Sequence, residues 1–385
     1  MTGKRNITVV TGSRAEYGLL KPVIQAIDDR PELRLQLIVT GTHLLKEFGQ
    51  SVRDIVADDW PIDARIRLQN AQDNPIEQTA GMGRAITQIT RTFARLGSDI
   101  VLVLGDRIEA FAAASAAVTG GLLLAHIHGG DIAPGVNDEA YRHAISKLAH
   151  LHFVATPGAK QRLLRMGEQP FRVKLTGSPA LDDIKSTLCR DIDELSRNVG
   201  FDVRQDFLIV QQHPAGFSAT QEEKFMRQTL QAAHVTDLHL IVMHPNSDPG
   251  FSGILKAAQV FCRRTDHPLI KHLPRPIFLG LLKKCRALIG NSSAGLIEAG
   301  YLGTPVLNIG SRQSGREHGD NVVHLPYGTG PIGKTLTRLL KKPGHRQIQR
   351  LYGTGSAGRK IAGHLASHAL IARLRPKTSH FPTRC

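Results

Sequence analysis

The chain has 385 residues, 41% of them hydrophobic, and a formal net charge of +16, which is enough apolar material for two sizeable cores and calls for two domains. Its 49 Lys and Arg residues are scattered in nothing longer than pairs such as Arg263-Arg264, and aromatics make up 5%. That excludes a stacking platform for single-stranded nucleic acid and points to a small anionic ligand. Four cysteines, at 189, 262, 285 and 385, form no CxxC pair, so neither a zinc site nor a disulfide framework is expected. With four apolar residues before Thr11, no signal peptide is expected in this stretch. The apolar region 110–127 is split by Gly120-Gly121, so no membrane span is expected there and the location is expected to be cytoplasmic.

Taken in order, the first half begins with a β-branched strand at 7–10 and the turn Thr11-Gly12-Ser13-Arg14. A helix at 19–28, a strand at 33–39 and a long helix at 76–96 follow, the last with Ile76, Ile86, Ile89 and Phe93 at helical spacing. Residues 100–104 are a continuous apolar run, the pattern of a central parallel strand, closed by Gly105-Asp106-Arg107. An Ala-rich helix, a strand at 122–127, a loop at 128–137, a helix at 141–151, a strand at 151–155, a helix at 161–166 and a strand at 172–176 complete this half. The second half repeats the alternation, with strands at 207–211, 238–243, 269–273, 287–289 and 306–309. Between the last two lie the turn Gly290-Asn291-Ser292-Ser293 and a helix predicted at 294–301. Alternating β and α calls for two Rossmann-like, doubly wound α/β domains facing a cleft. The expected divisions are 1–180, 181–360, and a C-terminal helix and tail at 361–385 that packs back across the junction.

In an open parallel sheet the informative residues follow the carboxyl ends of strands. Arg14, after the first strand, suits phosphate. Asp106 follows the central strand, where helix N-capping is its bland alternative. His128 and Asp131 follow the next strand, and Asp138, Glu139 and Arg142 come soon after. Convergence of these groups would let a carboxylate be tuned for proton transfer. A metal reading of His126, His128 and Asp131 is set aside because Gly129-Gly130 interrupts the alternation that would align them. His213, His244 and Asn246 follow the first two strands of the second half. Ser292 and Ser293 suit a helix N-cap whose amides would receive an anion. Glu298, one turn on, suits a ribose diol. Arg312 and Arg316 follow the next strand. Polar turn, acid and paired arginines together suggest a nucleoside diphosphate site.

The chain resembles a known family at this point. Ser13-Arg14-Ala15-Glu16-Tyr17-Gly18, Gly105-Asp106-Arg107, His126 to Asp131, Arg142-His143-Ala144-Ile145-Ser146-Lys147, Gly177-Ser178-Pro179, Gly290 to Glu298 and Gly310-Ser311-Arg312-Gln313-Ser314-Gly315-Arg316 are similar to the motifs of UDP-N-acetylglucosamine 2-epimerases. The Ser-Arg-Ala-Glu-Tyr-Gly and Gly-Asp-Arg forms resemble its hydrolysing branch, which makes N-acetylmannosamine for sialic-acid-type sugars. The resemblance implies a GT-B-type fold, no cofactor, a homodimer, and a UDP-sugar as the partner. It implies anti elimination of UDP to a 2-acetamidoglucal, then addition of water. Asp106, Asp138 or Glu139, and His213 match acid/base positions. Arg14, Ser292, Ser293, Glu298, Arg312 and Arg316 match UDP-binding positions, with Gly295 and Gln313 inside the same motifs. His128 stands where the family often has Glu. A glycosyltransferase on the same fold, or a non-catalytic nucleotide-sugar binder, are the competing readings.

Overall fold

A computed structural model describes residues 3–68, 75–132, 137–341 and 347–380. They form two compact units: Met1–Asp131 with Asn137–Asp182 and Tyr352–Cys385, and Ile132–Val136 with Asp183–Leu351. Each is a parallel α/β sheet.

The first unit has seven strands: β1 (Arg5–Thr11), β2 (Leu33–Thr40), β3 (Ala64–Ile66), β4 (Ile100–Leu104), β5 (Leu123–Ile127), β6 (Leu151–Val154) and β7 (Val173–Leu175). Their order is β3-β2-β1-β4-β5-β6-β7, all parallel. Every residue of β4 and β5 is buried, as a strand covered on both faces requires. The order reverses direction between β1 and β4. The turns after those two strands, at Gly12 and Gly105, therefore share the switch point where such sheets bind ligands.

Local chemistry moves several element ends away from expectation. The first helix is Arg14–Asp28 and starts five residues earlier than predicted. Ser13 Oγ accepts from the Glu16 N–H, and the Glu16 carboxyl turns back to the Gly12 N–H at 2.9 Å, so the cap rather than the apolar period sets the start. The predicted helix 141–151 begins at Asn137 and ends at Leu148. β3 was not predicted, because three residues carry no periodicity. The C-terminal helix Ala357–Ala366 belongs to this unit, with Ile361, Ala362 and Leu365 in one core with Ile24 and Ile27. Asp182 accepts from the Ala357 and Gly358 amides at 2.8 and 2.6 Å and so caps it. Ser367 interrupts the C-terminal helix expected within 361–385, capping a second one, His368–Ala372.

The second unit has six parallel strands: β8 (Phe207–Gln211), β9 (His239–Met243), β10 (Leu269–Ile270), β11 (Ala287–Gly290), β12 (Val306–Ile309) and β13 (Val322–Leu325), in the order β10-β9-β8-β11-β12-β13. Its switch point lies between β8 and β11. The edge strand β13 was not predicted. The helix predicted at 294–301 is also corrected. A 3-10 turn, Ser293–Gly295, is followed by a separate five-residue helix, Glu298–Leu302. Gly295 lies close over the sheet, where an added Cβ would sit 3.0 Å from Val306 and 3.1 Å from Leu288. Glu298 therefore opens the second helix rather than lying one turn into the first, and no long helix dipole stands behind Ser292.

Among the described residues, no helix is long and apolar enough to cross a membrane.

Candidate active site

In the first unit, the loops after β4 and β5 and the start of helix Asn137–Leu148 meet on one guanidinium. Arg142 is 2% exposed. It makes an ion pair with Asp106. Its Nη1 donates to the His128 carbonyl at 3.3 Å and lies 3.7 Å from Asp131 Oδ2. A buried guanidinium is held by such carboxylate and carbonyl oxygens because leaving it unpaired would be costly. Asp106 is thus not a helix cap. The next helix, Ile108–Thr119, has Arg107 at its N-cap with no side-chain bond.

His128 adopts φ +64°, the left-handed region that non-glycine residues seldom enter. Its Nδ1 lies 3.4 Å from Asp131 Oδ2, and its Nε2 is 2.9 Å from Ser178 Oγ. His126 faces elsewhere, with Nε2 on the Gly105 carbonyl at 2.7 Å and Nδ1 on Ser146 Oγ at 3.2 Å. Burial pulls His126 down to about 3, so it stays neutral. No group of metal-ligating side chains forms among the described residues. Glu139 bonds His143 at 2.9 Å on its own helix. Asp138 lies in the first turn of that helix, and its side chain lies outside the described residues. Arg14 follows the Ser13 cap at the switch point.

In the second unit, Asn291 ties the two switch-point loops together. Its Oδ1 accepts from the His213 N–H at 2.7 Å and its Nδ2 donates to the His213 carbonyl at 2.9 Å. His213 Nδ1 accepts from the Asn246 N–H at 3.0 Å. The neutral ring's proton is therefore on Nε2, which leaves that nitrogen a hydrogen-bond donor. The Asn246 side chain bonds Asp248 at 2.5 Å, and Arg312 lies 3.5 Å from the same carboxylate. His244 follows β9, its N–H bonded to the Ile270 carbonyl at 3.0 Å. Gln313 donates to the Asn291 carbonyl at 3.0 Å and accepts from Arg316 at 2.9 Å; Arg316 also donates to the Ile132 carbonyl. Ser292 caps the 3-10 turn through the Ala294 amide. Glu298 is 5% exposed, with Arg275 3.3 Å away.

The UDP-N-acetylglucosamine 2-epimerase family model matches residues 25–366. The chain belongs to the UDP-N-acetylglucosamine 2-epimerase family. It is 36% identical to the UDP-N,N'-diacetylbacillosamine 2-epimerase (hydrolyzing) of Legionella pneumophila over 98% of this chain and all of that one. It is 33% identical to the UDP-N-acetylglucosamine 2-epimerase of Neisseria meningitidis over 84% of this chain and 85% of that one. By fold it matches a crystal structure of a Neisseria meningitidis UDP-GlcNAc 2-epimerase bound to UDP-GlcNAc, at TM-score 0.78 and 18% identity, covering 94% of this chain and 99% of that one. The GT-B-type fold class of this epimerase chain accords with that likeness, and the chain is an enzyme of the family's hydrolysing branch.

Within each unit the epimerase thus gathers most of the residues named from sequence. Asp106, His128, Asp131 and Arg142 form one connected group. His213, Asn246, Arg312, Gln313 and Arg316 form another through Asn291 and Asp248. Glu139 is paired with His143 on its own helix. Ser178, Asp248 and Arg275 were missed. Gly177-Ser178-Pro179 carried a motif signal for the first; the other two lie on a loop and a helix start without distinctive neighbours.

Proposed function

We propose that this enzyme releases UDP from a UDP-linked 2-acetamido sugar and delivers the free 2-epimer. A base takes the C2 proton, the C1–O bond breaks, and its electron pair leaves on the diphosphate. The resulting 2-acetamidoglucal takes hydroxide at C1 and a proton at C2 from the opposite face. The observation that carries this reading is the buried Asp106–Arg142–Asp131–His128 group at the strand ends of the first unit. It supplies carboxylates of fixed orientation for the two proton transfers. The second unit supplies His213 as an oriented N–H donor and Arg312 and Arg316 for the leaving diphosphate, with Arg14 as a further cation. Ser292 and Ser293 serve the phosphates, and Glu298 the ribose hydroxyls. Asp138 and Glu139 remain proposed acid/base groups by resemblance alone.

UDP-GlcNAc, giving N-acetylmannosamine, is the substrate that the sequence motifs imply. A second reading, UDP-N,N'-diacetylbacillosamine, is supported by the full-length match to the Legionella enzyme. Assaying UDP release from both without an acceptor separates them: the substrate has the higher kcat/KM. Release that needs an acceptor sugar would instead favour a glycosyltransferase.

A further inference from the structure

Resting on the reading above, the hydrogen bonds around His128 assign a role to Ser178, a motif residue given none so far. Ser178 is 1% exposed and opens the 3-10 turn Pro179–Leu181. Its Oγ accepts from the Ala180 N–H at 3.2 Å. A hydroxyl that accepts there still has one hydrogen to give, and His128 Nε2 is the ring nitrogen 2.9 Å away. If Nε2 accepts, the ring proton is on Nδ1, which faces Asp131 Oδ2 at 3.4 Å. That order gives the Ser178 hydroxyl one bond in each direction and turns the ring N–H toward the carboxylate: amide to hydroxyl, hydroxyl to imidazole, imidazole toward carboxylate. It also leaves the imidazole no nitrogen with which to take a proton from a sugar. His128, 4% exposed and held at φ +64°, is placed as a strut.

We propose that Ser178 is a positioning residue: its hydroxyl fixes His128 as the Nδ1–H tautomer and so orients Asp131, and the carboxylate offered to the sugar is Asp131 rather than the His128 ring. This explains how the Glu that the family often has here can give way to His128 without loss of a carboxylate, because Asp131 stands three residues on beside Arg142. Ser178 touches no reacting atom in this scheme; it acts through His128.

The test reads the tautomer and the turnover separately. The full-length enzyme is labelled with 15N-histidine, and two-bond proton–nitrogen correlations are recorded at neutral pH, with His128→Gln assigning the His128 signals. The proposal expects His128 protonated at Nδ1 only. Ser178→Ala should bring in the Nε2–H form and lower kcat about tenfold by misplacing Asp131, with UDP affinity unchanged. Ser178→Thr keeps the hydroxyl and should keep both tautomer and kcat. If Ser178→Ala does not fold, Ser178→Cys, a poor hydrogen-bond partner, takes its place. A native His128 protonated at Nε2, or a Ser178→Ala enzyme with native tautomer or with kcat within about twofold of native, overturns the proposal. Should no UDP-2-acetamido sugar be turned over at all, the functional reading fails, while the tautomer still decides the Ser178–His128 bond.

Discussion

Arg142 shows how one residue organises the first unit's polar group. Its guanidinium is buried and holds Asp106, Asp131 and the His128 carbonyl together. Asp106→Asn should lower kcat by roughly 10²–10⁴ if Asp106 moves a proton. It should also destabilise the fold by about 1–3 kcal/mol, because a buried guanidinium loses its charged partner; size conservation alone would have suggested no thermal penalty. Steady-state kinetics and urea unfolding check both parts, and a variant with unaltered turnover would remove Asp106 from the chemistry. Glu298→Gln should weaken UDP binding by about 1.5–3 kcal/mol, read by calorimetry, as charge-assisted bonds to the ribose are lost. Asp106, His128, Asp131 and Arg142 were legible because polar residues directly after apolar strands have few structural uses. Ser178 was not, since a Gly-Ser-Pro turn reads as a connection until its hydrogen bonds are seen.

The helix Asn137–Leu148, which carries Arg142, is braced at its far end. Lys377 Nζ donates to the Lys147 and Ala149 carbonyls at 2.6 and 2.5 Å and pairs with buried Glu168 at 3.0 Å. Arg172 holds the adjoining backbone through the Leu374 and Pro376 carbonyls. Lys377→Met should therefore destabilise the enzyme by about 1–3 kcal/mol through unsatisfied carbonyls. The pH sign is definite. Burial pulls Lys377 from 10.5 down to about 8, against the attraction of Glu168. Between those values the unfolded chain binds the proton that the folded chain has lost, so this residue's contribution to stability grows as pH rises. The melting-temperature gap between native enzyme and Lys377→Met should widen from pH 8 to 10; a narrowing gap would contradict the assignment. Long apolar strands such as β4 were readable to the residue. Element starts set by caps, as at Ser13, and three- or four-residue edge strands, as β3 and β13, were not, because hydrogen bonds and neighbours rather than periodicity fix them.

Across the whole molecule, buried histidines set the acid limit. Burial lowers His43 and His126 to about 3 and His150 to about 4, whereas burial raises Glu16 to about 8. Below pH 6.5 the unfolded chain takes up three protons on those histidines that the folded chain refuses. Glu16 opposes with one, since its folded form keeps the proton that the unfolded chain releases above 4.5. From these four groups two net protons favour unfolding, so their contribution to stability should fall by on the order of 2–3 kcal/mol per unit from pH 6 to 5. Urea midpoints over that range check it, and His126→Asn should flatten the slope; a pH-independent midpoint would contradict it. The doubly wound architecture of both units was legible because β and α alternate along the entire chain. The assignment that matters most is the reaction itself. Proton NMR of the enzyme with UDP-GlcNAc or UDP-N,N'-diacetylbacillosamine in D2O, without an acceptor, tests it most directly. The account predicts free UDP and a free 2-epimerised sugar carrying deuterium at C2. An intact UDP-sugar with both candidates, a product still linked to UDP, or a released sugar with its original configuration and proton at C2 would contradict it.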